Sequence, residues 1–341
     1  MAMSDTIYCL PKGSRILVTG GNGFVGGNVI QLLLELGYKV RGTVRAPKPW
    51  LDEMFKARFG DDSYESVILT SFDDINTLVG VMEGISGVAH VATDVSFDKN
   101  TERVISWAVT AVQNVLEAAS RVPSVQRVVL TSSGVTATTP KLQKEDVTIY
   151  DDTWNEEAVK SALDPNTPEH LKGYMGYCAS KTESERAAWK WVEQKNPHFQ
   201  FNTVLPSFTL GRVLHEQING STMGWVRGLL SGDRRIFKTY VPHYIVDVVD
   251  IARLHAVALL NPNVVSQRLF GYASPLNLTQ IITILRKLRP DNDQIPDAPE
   301  IDWDDESIIV PAKHAENLLR EFCGQGWTSA EDSIAEGIRG C

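Results

Sequence analysis

The stretch Arg15–Leu36, RILVTGGNGFVGGNVIQLLLEL, constrains the chain most. Arg15-Ile16-Leu17-Val18-Thr19 is a short apolar run of the kind found in a strand buried on both faces. Gly20, Gly21, Gly23 and Gly26 follow, and then Val29, Ile30, Leu32, Leu33 and Leu36 at helical spacing. Strand, glycine turn and helix in that order suit a dinucleotide. Gly20 or Gly21 permits a turn that a Cβ would block. Gly23 allows close approach of a pyrophosphate, and Gly26 lets the helix pack tightly. The helix N-terminus then aims free N–H groups and a positive dipole end at phosphate. Thr19, Gly20, Gly23, Phe24, Val25 and Gly26 are therefore cofactor-binding candidates. A glycine-rich turn of another α/β protein would explain the turn, but not three glycines on the helix-entry face.

The alternation continues downstream. Strands are expected at Tyr38–Val44, Tyr64–Thr70, Gly87–Ala92 and Gln126–Thr131, with helices near Trp50–Arg58, Asp74–Glu83 and Glu102–Arg121 between them. This pattern predicts an α/β fold with a doubly wound parallel sheet of the Rossmann type. Residues 136–176, rich in Thr, Pro, Asp and Lys, read as a long excursion, which in a compact domain is usually functional. Helix is expected again from Tyr177 to Gln194, a sixth strand at Phe201–Leu205 stopped by Pro206, a helix through Leu230, a short strand near His243–Val246 and a helix over Asp247–Leu260. The tail from 262 alternates short elements with Pro-rich connections and suggests a smaller C-terminal lobe. The expected division is 1–206 for the dinucleotide-binding domain, with 240–262 returning to it, and 207–341 mainly for a substrate-binding lobe.

Composition removes some alternatives. With 341 residues, a net charge of −9 and 22% charged residues, the chain offers no general surface for nucleic acid or an anionic membrane. No apolar run approaches the roughly 20 residues that span a bilayer. Cys9, Cys178, Cys323 and Cys341 are scattered without metal-ligand spacing and read as reduced thiols of a cytoplasmic protein. No metal site is expected, and His90 on a buried strand reads as a core histidine.

Two features carry chemistry. An acidic residue closing the second strand would hold the ribose 2′-OH of NAD, but Arg45 stands there, with Lys48 three residues on. A guanidinium binds a 2′-phosphate that a carboxylate would repel, so NADPH is the expected cofactor. Arg41, within the strand, reads equally well as surface. The second feature is Tyr177-Cys178-Ala179-Ser180-Lys181. Tyr8 and Lys12 share the spacing, but Pro11 between them precludes an ordinary helical pair. Tyr177 and Lys181 lie on one helix face, and a lysine charge beside a phenol lowers its pKa from about 10 toward working pH. Such a phenol is a general acid–base for a carbonyl oxygen. Ser133, ending the fifth strand, can hydrogen-bond the same oxygen. Alone, a Tyr/Lys helical pair is usually structural and Ser-Ser usually just ends a strand.

Together these motifs resemble an extended short-chain dehydrogenase/reductase. The resemblance runs through Thr19–Gly26, Thr131-Ser132-Ser133, Tyr177–Lys181, Leu205-Pro206-Ser207-Phe208-Thr209-Leu210-Gly211 and Asp247-Val248-Val249-Asp250-Ile251-Ala252, nearly the whole chain. Within that family it is similar to fungal carbonyl (aldehyde) reductases, relatives of dihydroflavonol and cinnamoyl-CoA reductases. The resemblance implies hydride transfer from NADPH to a small-molecule ketone or aldehyde, with catalytic Ser133, Tyr177 and Lys181. Tyr177 would donate the proton, Lys181 tune it and bind the nicotinamide ribose, and Ser133 orient the carbonyl. Ala92 and Pro206, Ser207 and Thr209 would border the cofactor. Two departures stand out: Ser71-Phe72 where relatives often carry Asp and an apolar residue for the adenine, and Ala108 where many carry Asn. Asn114 lies too deep in its helix for that role. Phe97, Tyr174, Met175, Thr222, Trp225 and Tyr244 are expected near a substrate cleft, each equally explicable as core packing; an aromatic pocket would suit bulky carbonyls. Competing readings are a nucleotide-sugar epimerase or dehydratase, which would favour an acid where Arg45 stands, and an NADP-sensing binding protein, which would typically lack the Tyr/Lys pair. A homodimer is the default assembly.

Overall fold

The first half of the chain alternates strand and helix: β1 (Arg15–Thr19), α1 (Phe24–Glu35), β2 (Lys39–Val44), α2 (Pro49–Phe59), β3 (Tyr64–Ile68), α3 (Ile75–Met82), β4 (Ile85–His90), α4 (Thr101–Ser120) and β5 (Arg127–Thr131). The structure, a computed structural model, describes residues 8–140 and 144–341. Then follow β6 (Thr148–Ile149), α5 (Glu156–Leu163), α6 (Glu169–Lys195), β7 (Gln200–Pro206), β8 (Phe208–Leu210), α7 (Thr222–Gly228), β9 (His243–Asp247), α8 (Val248–Leu260), β10 (Arg268–Gly271), β11 (Ser274–Leu276), α9 (Leu278–Leu288), β12 (Ile308–Ile309), α10 (Ala312–Cys323) and α11 (Ala330–Gly337).

Seven strands form one parallel sheet in the order β3-β2-β1-β4-β5-β7-β10. The central strands β1, β4 and β5 are almost wholly buried, whereas β3 at the edge is mostly part-buried or exposed. Ile16 and Val18 of β1 enter the core that contains α1, α8 and α10 residues. Leu17, between them, enters the opposite core with α3, α4 and α6 residues. The strand order reverses at β1, so a crevice opens at the carboxyl ends of β1 and β4, where such sheets bind ligands.

The later elements divide. β8, β9 and β11 make a separate three-stranded sheet, and their core includes α7, α9 and α11 residues. The chain then returns to the main sheet: β10 pairs with β7 in parallel register, Arg268 opposite Thr203, and α10 packs on α8 and β10.

The excursion 136–176 proves partly regular, apart from 141–143, which lie outside the described residues. β6 pairs with β12 across 160 residues of sequence, α5 packs on α6, and α6 begins at Glu169, eight residues before Tyr177. Gly173 and Gly176 read as poor helix formers, yet both are helical because α6 crosses another segment closely there. A Cβ on Gly173 would overlap the Phe97 carbonyl oxygen, and one on Gly176 would come within 2.9 Å of Thr101 Cγ2. Tertiary packing outweighs propensity at these two positions.

Candidate active site

The turn after β1 is built on backbone proximity. Gly20 has φ +70°, the left-handed conformation that favours glycine, so it and not Gly21 is the strained member of the pair. A Cβ on Gly20 would sit 3.2 Å from Ala92 Cα. A Cβ on Gly26 would overlap the Gly20 carbonyl oxygen, so this glycine brings α1 against the turn. Gly23 precedes α1 with no side-chain cap, leaving the first-turn N–H groups of Phe24, Val25 and Gly26 to face the crevice. Thr19 locks β1 to β4: its hydroxyl pairs with His90 Nδ1 at 2.9 Å and accepts from Val91 and Ala92 N–H at 2.9 and 3.0 Å. His90 is thus a satisfied core histidine, and burial pulls its pKa down to about 3.

Arg45 is exposed just past β2, and Lys48 precedes α2. Among the described residues neither has an ion-pair partner. Arg41 does: it donates to Glu65 at 2.8 Å and to the Val81 and Glu83 carbonyls at 2.8 and 3.0 Å, a structural role. Where an Asp might hold adenine, Ser71 bonds Asp73, and Phe72 turns inward against His90 with ring centroids 5.0 Å apart. Asn114 supports this loop by donating to the Phe72 carbonyl at 2.9 Å.

Ser133, Tyr177 and Lys181 converge at the end of β5. Ser133 is 9% exposed and caps a short 3₁₀ turn at Gly134–Thr136, and its hydroxyl acts on the Tyr177 phenol. Lys181, 6% exposed, donates from Nζ to the Thr131 carbonyl at 2.9 Å. The expected lowering of the Tyr177 pKa is not what the structure gives. Its surroundings push the phenol up to about 12, burial outweighing the opposing effect of the Ser133 hydroxyl. Lys181 in turn is pulled down to about 8 by burial. The lysine spends its hydrogen bond on the strand carbonyl, so desolvation governs both groups. Beside Lys181 lies a cavity of about 20 Å³, room for one water, bordered by Ala92, Thr93, Ala108, Thr131 and Ser184. Ala108 leaves this space where an Asn would intrude.

Of the expected cleft residues, Phe97 is nearest the chemistry: its ring lies 5.2 Å from that of Tyr177, 43% exposed, on a backbone with φ +52°. Tyr174 and the Cys178 thiol act on each other, one helical turn apart, and burial pushes both pKa values up. Thr222 donates to the Thr209 carbonyl, and Trp225 packs on Phe208 at 6.0 Å. Pro206 ends β7, and Ser207 donates its hydroxyl to the Gly271 carbonyl at 2.8 Å. Tyr244 donates to the Ser307 carbonyl at 2.9 Å and tilts against Tyr272.

Sequence reasoning missed Tyr272, which donates to the Gly134 carbonyl at 2.9 Å and fills the space beside that glycine behind Ser133. It also missed Glu185 and Arg268, treated below. Glu185 had a signal, because it stands four residues beyond Lys181 on the same helix face. Arg268 had none, because its partner is 83 residues away.

Residues 16–270 match the NAD dependent epimerase/dehydratase family. Ketoreductase nvfG of Aspergillus novofumigatus is 43% identical, covering 98% of this chain and 99% of its own. Aldehyde reductase 2 of Sporidiobolus salmonicolor is 37% identical over 96% of both. The structure of yeast methylglyoxal/isovaleraldehyde reductase Gre2 complexed with NADPH superposes with a TM-score of 0.79 over 95% of this chain and 97% of that one, at 22% identity. Among the described residues no helix is long and apolar enough to cross a membrane. The matched span contains the glycine turn, Ser133, Tyr177 and Lys181, and the chain belongs to the NAD dependent epimerase/dehydratase family, the extended short-chain dehydrogenases/reductases.

Proposed function

We propose that this protein reduces ketones or aldehydes to alcohols with NADPH, with Tyr177 as the proton donor. The observation that carries this is the convergence at the carboxyl edge of the sheet of Ser133, whose hydroxyl acts on the Tyr177 phenol, with Lys181, one turn further along α6 and bonded to the Thr131 carbonyl. The ketoreductase and aldehyde reductase names of full-length relatives support the reaction class.

The residues fit the cofactor. Side chains at Gly20 and Gly26 would fill the turn, the first-turn N–H groups of α1 suit a pyrophosphate, and Arg45 and Lys48 suit a 2′-phosphate. Lys181 would hold the nicotinamide ribose, with Ala92 and Pro206, Ser207 and Thr209 along its border. NADPH, when bound, supplies the hydride that adds to the carbonyl carbon. Ser133 donates a hydrogen bond to the carbonyl oxygen and stabilises the charge that develops there. Tyr177 gives that oxygen its proton. A phenol held near 12 keeps its proton at neutral pH, which is the form a donor needs. Phe97 and Tyr174 would bound the substrate on one side, with Thr222, Trp225 and Tyr244 contributed from the segment 207–341, mainly a substrate lobe.

The test follows NADPH absorbance with aryl ketones, α-keto esters and aldehydes, for wild type and Tyr177→Phe. Wild type should consume NADPH, and the variant should lose about 10²- to 10⁴-fold in kcat while binding NADPH normally. Full activity in the variant refutes the role of Tyr177. NADPH binding without turnover favours a sensing protein, and tightly copurifying NAD favours an epimerase or dehydratase.

A further inference from the structure

Three consecutive residues at the end of β5 reach α6. Thr131 offers its carbonyl to Lys181, Ser132 donates its hydroxyl to Glu185 Oε2 at 2.6 Å, and the Ser133 hydroxyl acts on the Tyr177 phenol. Tyr177, Lys181 and Glu185 are spaced four apart and share one helix face. The reduction described above uses the first two and leaves Glu185 without a task.

Glu185 is fully buried, and it is ionised because the fold satisfies it. Its Oε1 accepts from Thr203 at 2.8 Å, from Trp189 Nε1 at 3.3 Å and from Arg268 Nε at 2.9 Å. A second guanidinium nitrogen of Arg268 reaches Oε2 at 3.3 Å. These donors and the Arg268 charge hold the carboxyl below its ordinary pKa in spite of burial. Arg268 cannot swing away. It donates to the Asp151 and Thr153 carbonyls at 2.6 and 3.0 Å and to the Thr136 hydroxyl at 3.2 Å. Its guanidinium also lies 4.0 Å from the Trp154 ring centroid. One ion pair therefore ties α6 to β5, β7, β10 and the turn capped by Ser133.

A buried ion pair is a poor way to gain stability, since apolar residues of similar volume often do as well. This pair has a more specific use. Lys181 is a buried ammonium whose one hydrogen bond goes to a carbonyl. The groups around it are Tyr177 and Glu185 on α6, His90 on β4, which burial keeps neutral, and the β5 carbonyl. Among the described residues Glu185 is the carboxylate that acts on it. We propose that Glu185, clamped by Arg268, is a positioning residue for the reduction: it fixes the end of β5 against α6 and presents its carboxylate on the helix face that carries Lys181 and Tyr177. This rests on the roles of Ser133, Tyr177 and Lys181 proposed above.

The test compares wild type, Glu185→Gln and Glu185→Gln/Arg268→Met. The double variant strands no buried charge, so it carries the test if the single variant fails to fold. Two readouts are followed: the pH profile of kcat, and the Nζ titration of Lys181 by NMR of ¹⁵N-lysine-labelled protein, assigned with Lys181→Arg. Removal of the facing charge in Glu185→Gln should move the Nζ midpoint and the alkaline limb of kcat to lower pH together, by about one unit, and in the double variant, which also loses the more distant Arg268 charge, in the same direction by less, with NADPH affinity within about two-fold. At pH 9 that is about a ten-fold loss in kcat. A double variant with wild-type midpoint and limb, whatever its melting temperature, reduces Glu185 to a structural residue and overturns the proposal. A midpoint that moves while the limb stays also overturns it. If Tyr177→Phe is inactive and these readouts fail, only this inference falls; if Tyr177→Phe keeps full activity, the functional reading itself falls.

Discussion

Gly173→Ala is a substitution for which sequence and structure predict opposite signs. Gly173 sits inside α6, where alanine is favoured by about 1 kcal/mol through helix propensity. In the fold, however, the new Cβ would overlap the Phe97 carbonyl oxygen and lie 3.1 Å from its carbon. The obstacle is backbone, so relief needs a displacement of roughly an ångström to reach ordinary contact distance. That backbone is already committed: Phe97 has φ +52°, and Asx turns flank it, Asp94 accepting from Ser96 N–H and Asp98 from Asn100 N–H, each at 2.8 Å. Overpacking of this kind costs about 1–3 kcal/mol, which offsets the propensity gain and leaves a net loss of about 0–2 kcal/mol. The larger effect should be on turnover, because the Phe97 ring rests 5.2 Å from Tyr177. A shift of that size costs about 10- to 100-fold in kcat/KM. Urea denaturation and steady-state kinetics measure both, with NADPH affinity as the control. A variant with a higher urea midpoint and unchanged kcat/KM would show that the Phe97 loop yields freely, and the packing argument would be wrong.

Two further outcomes follow from the same geometry. Arg45→Glu should weaken NADPH binding by about 10- to 100-fold while sparing NADH, because a charge-assisted bond to the 2′-phosphate is replaced by repulsion; an unchanged ratio of the two dissociation constants removes Arg45 from the cofactor site. Asp247→Asn should change the pH dependence of stability. Burial lifts the Asp247 carboxyl to about 6, above its unfolded value near 4, so the stability it contributes is present below pH 4 and lost as pH rises through 6. The asparagine keeps the oxygen that caps Val249 N–H, so the variant should gain in melting temperature relative to wild type between pH 4 and 7; a constant difference across that range would refute this.

Much of this protein is legible in its sequence because local rules and global fold agree there. From Arg15 to Thr131 the apolar runs, glycines and breakers dictate the strand–helix alternation, since a strand buried on both faces must be apolar throughout. Arg45 and the Tyr177–Lys181 spacing are visible for a similar reason: each depends on one element or its end. Legibility fails where two distant segments meet. The first two turns of α6 fell within the excursion that the Thr, Pro, Asp and Lys content of 136–176 suggested, and the crossing of the Phe97–Thr101 segment explains why Gly173 and Gly176 suit the helix there.

The protonation states show the same division. The i, i+4 spacing puts Lys181 and Tyr177 on one helix face, but the hydrogen bond of the ammonium goes to the Thr131 carbonyl, and burial raises the phenol instead of lowering it. Likewise the sequence contains Glu185 and Arg268, yet their pairing requires β10 to return to the sheet beside β7. The sequence by itself determined the sheet and the glycine turn and placed the candidate site residues on their elements, because these follow from periodicity and residue type over a few positions. The tertiary structure alone decided which groups are charged and how they are held, because desolvation and buried partners depend on segments that meet only once the chain has folded.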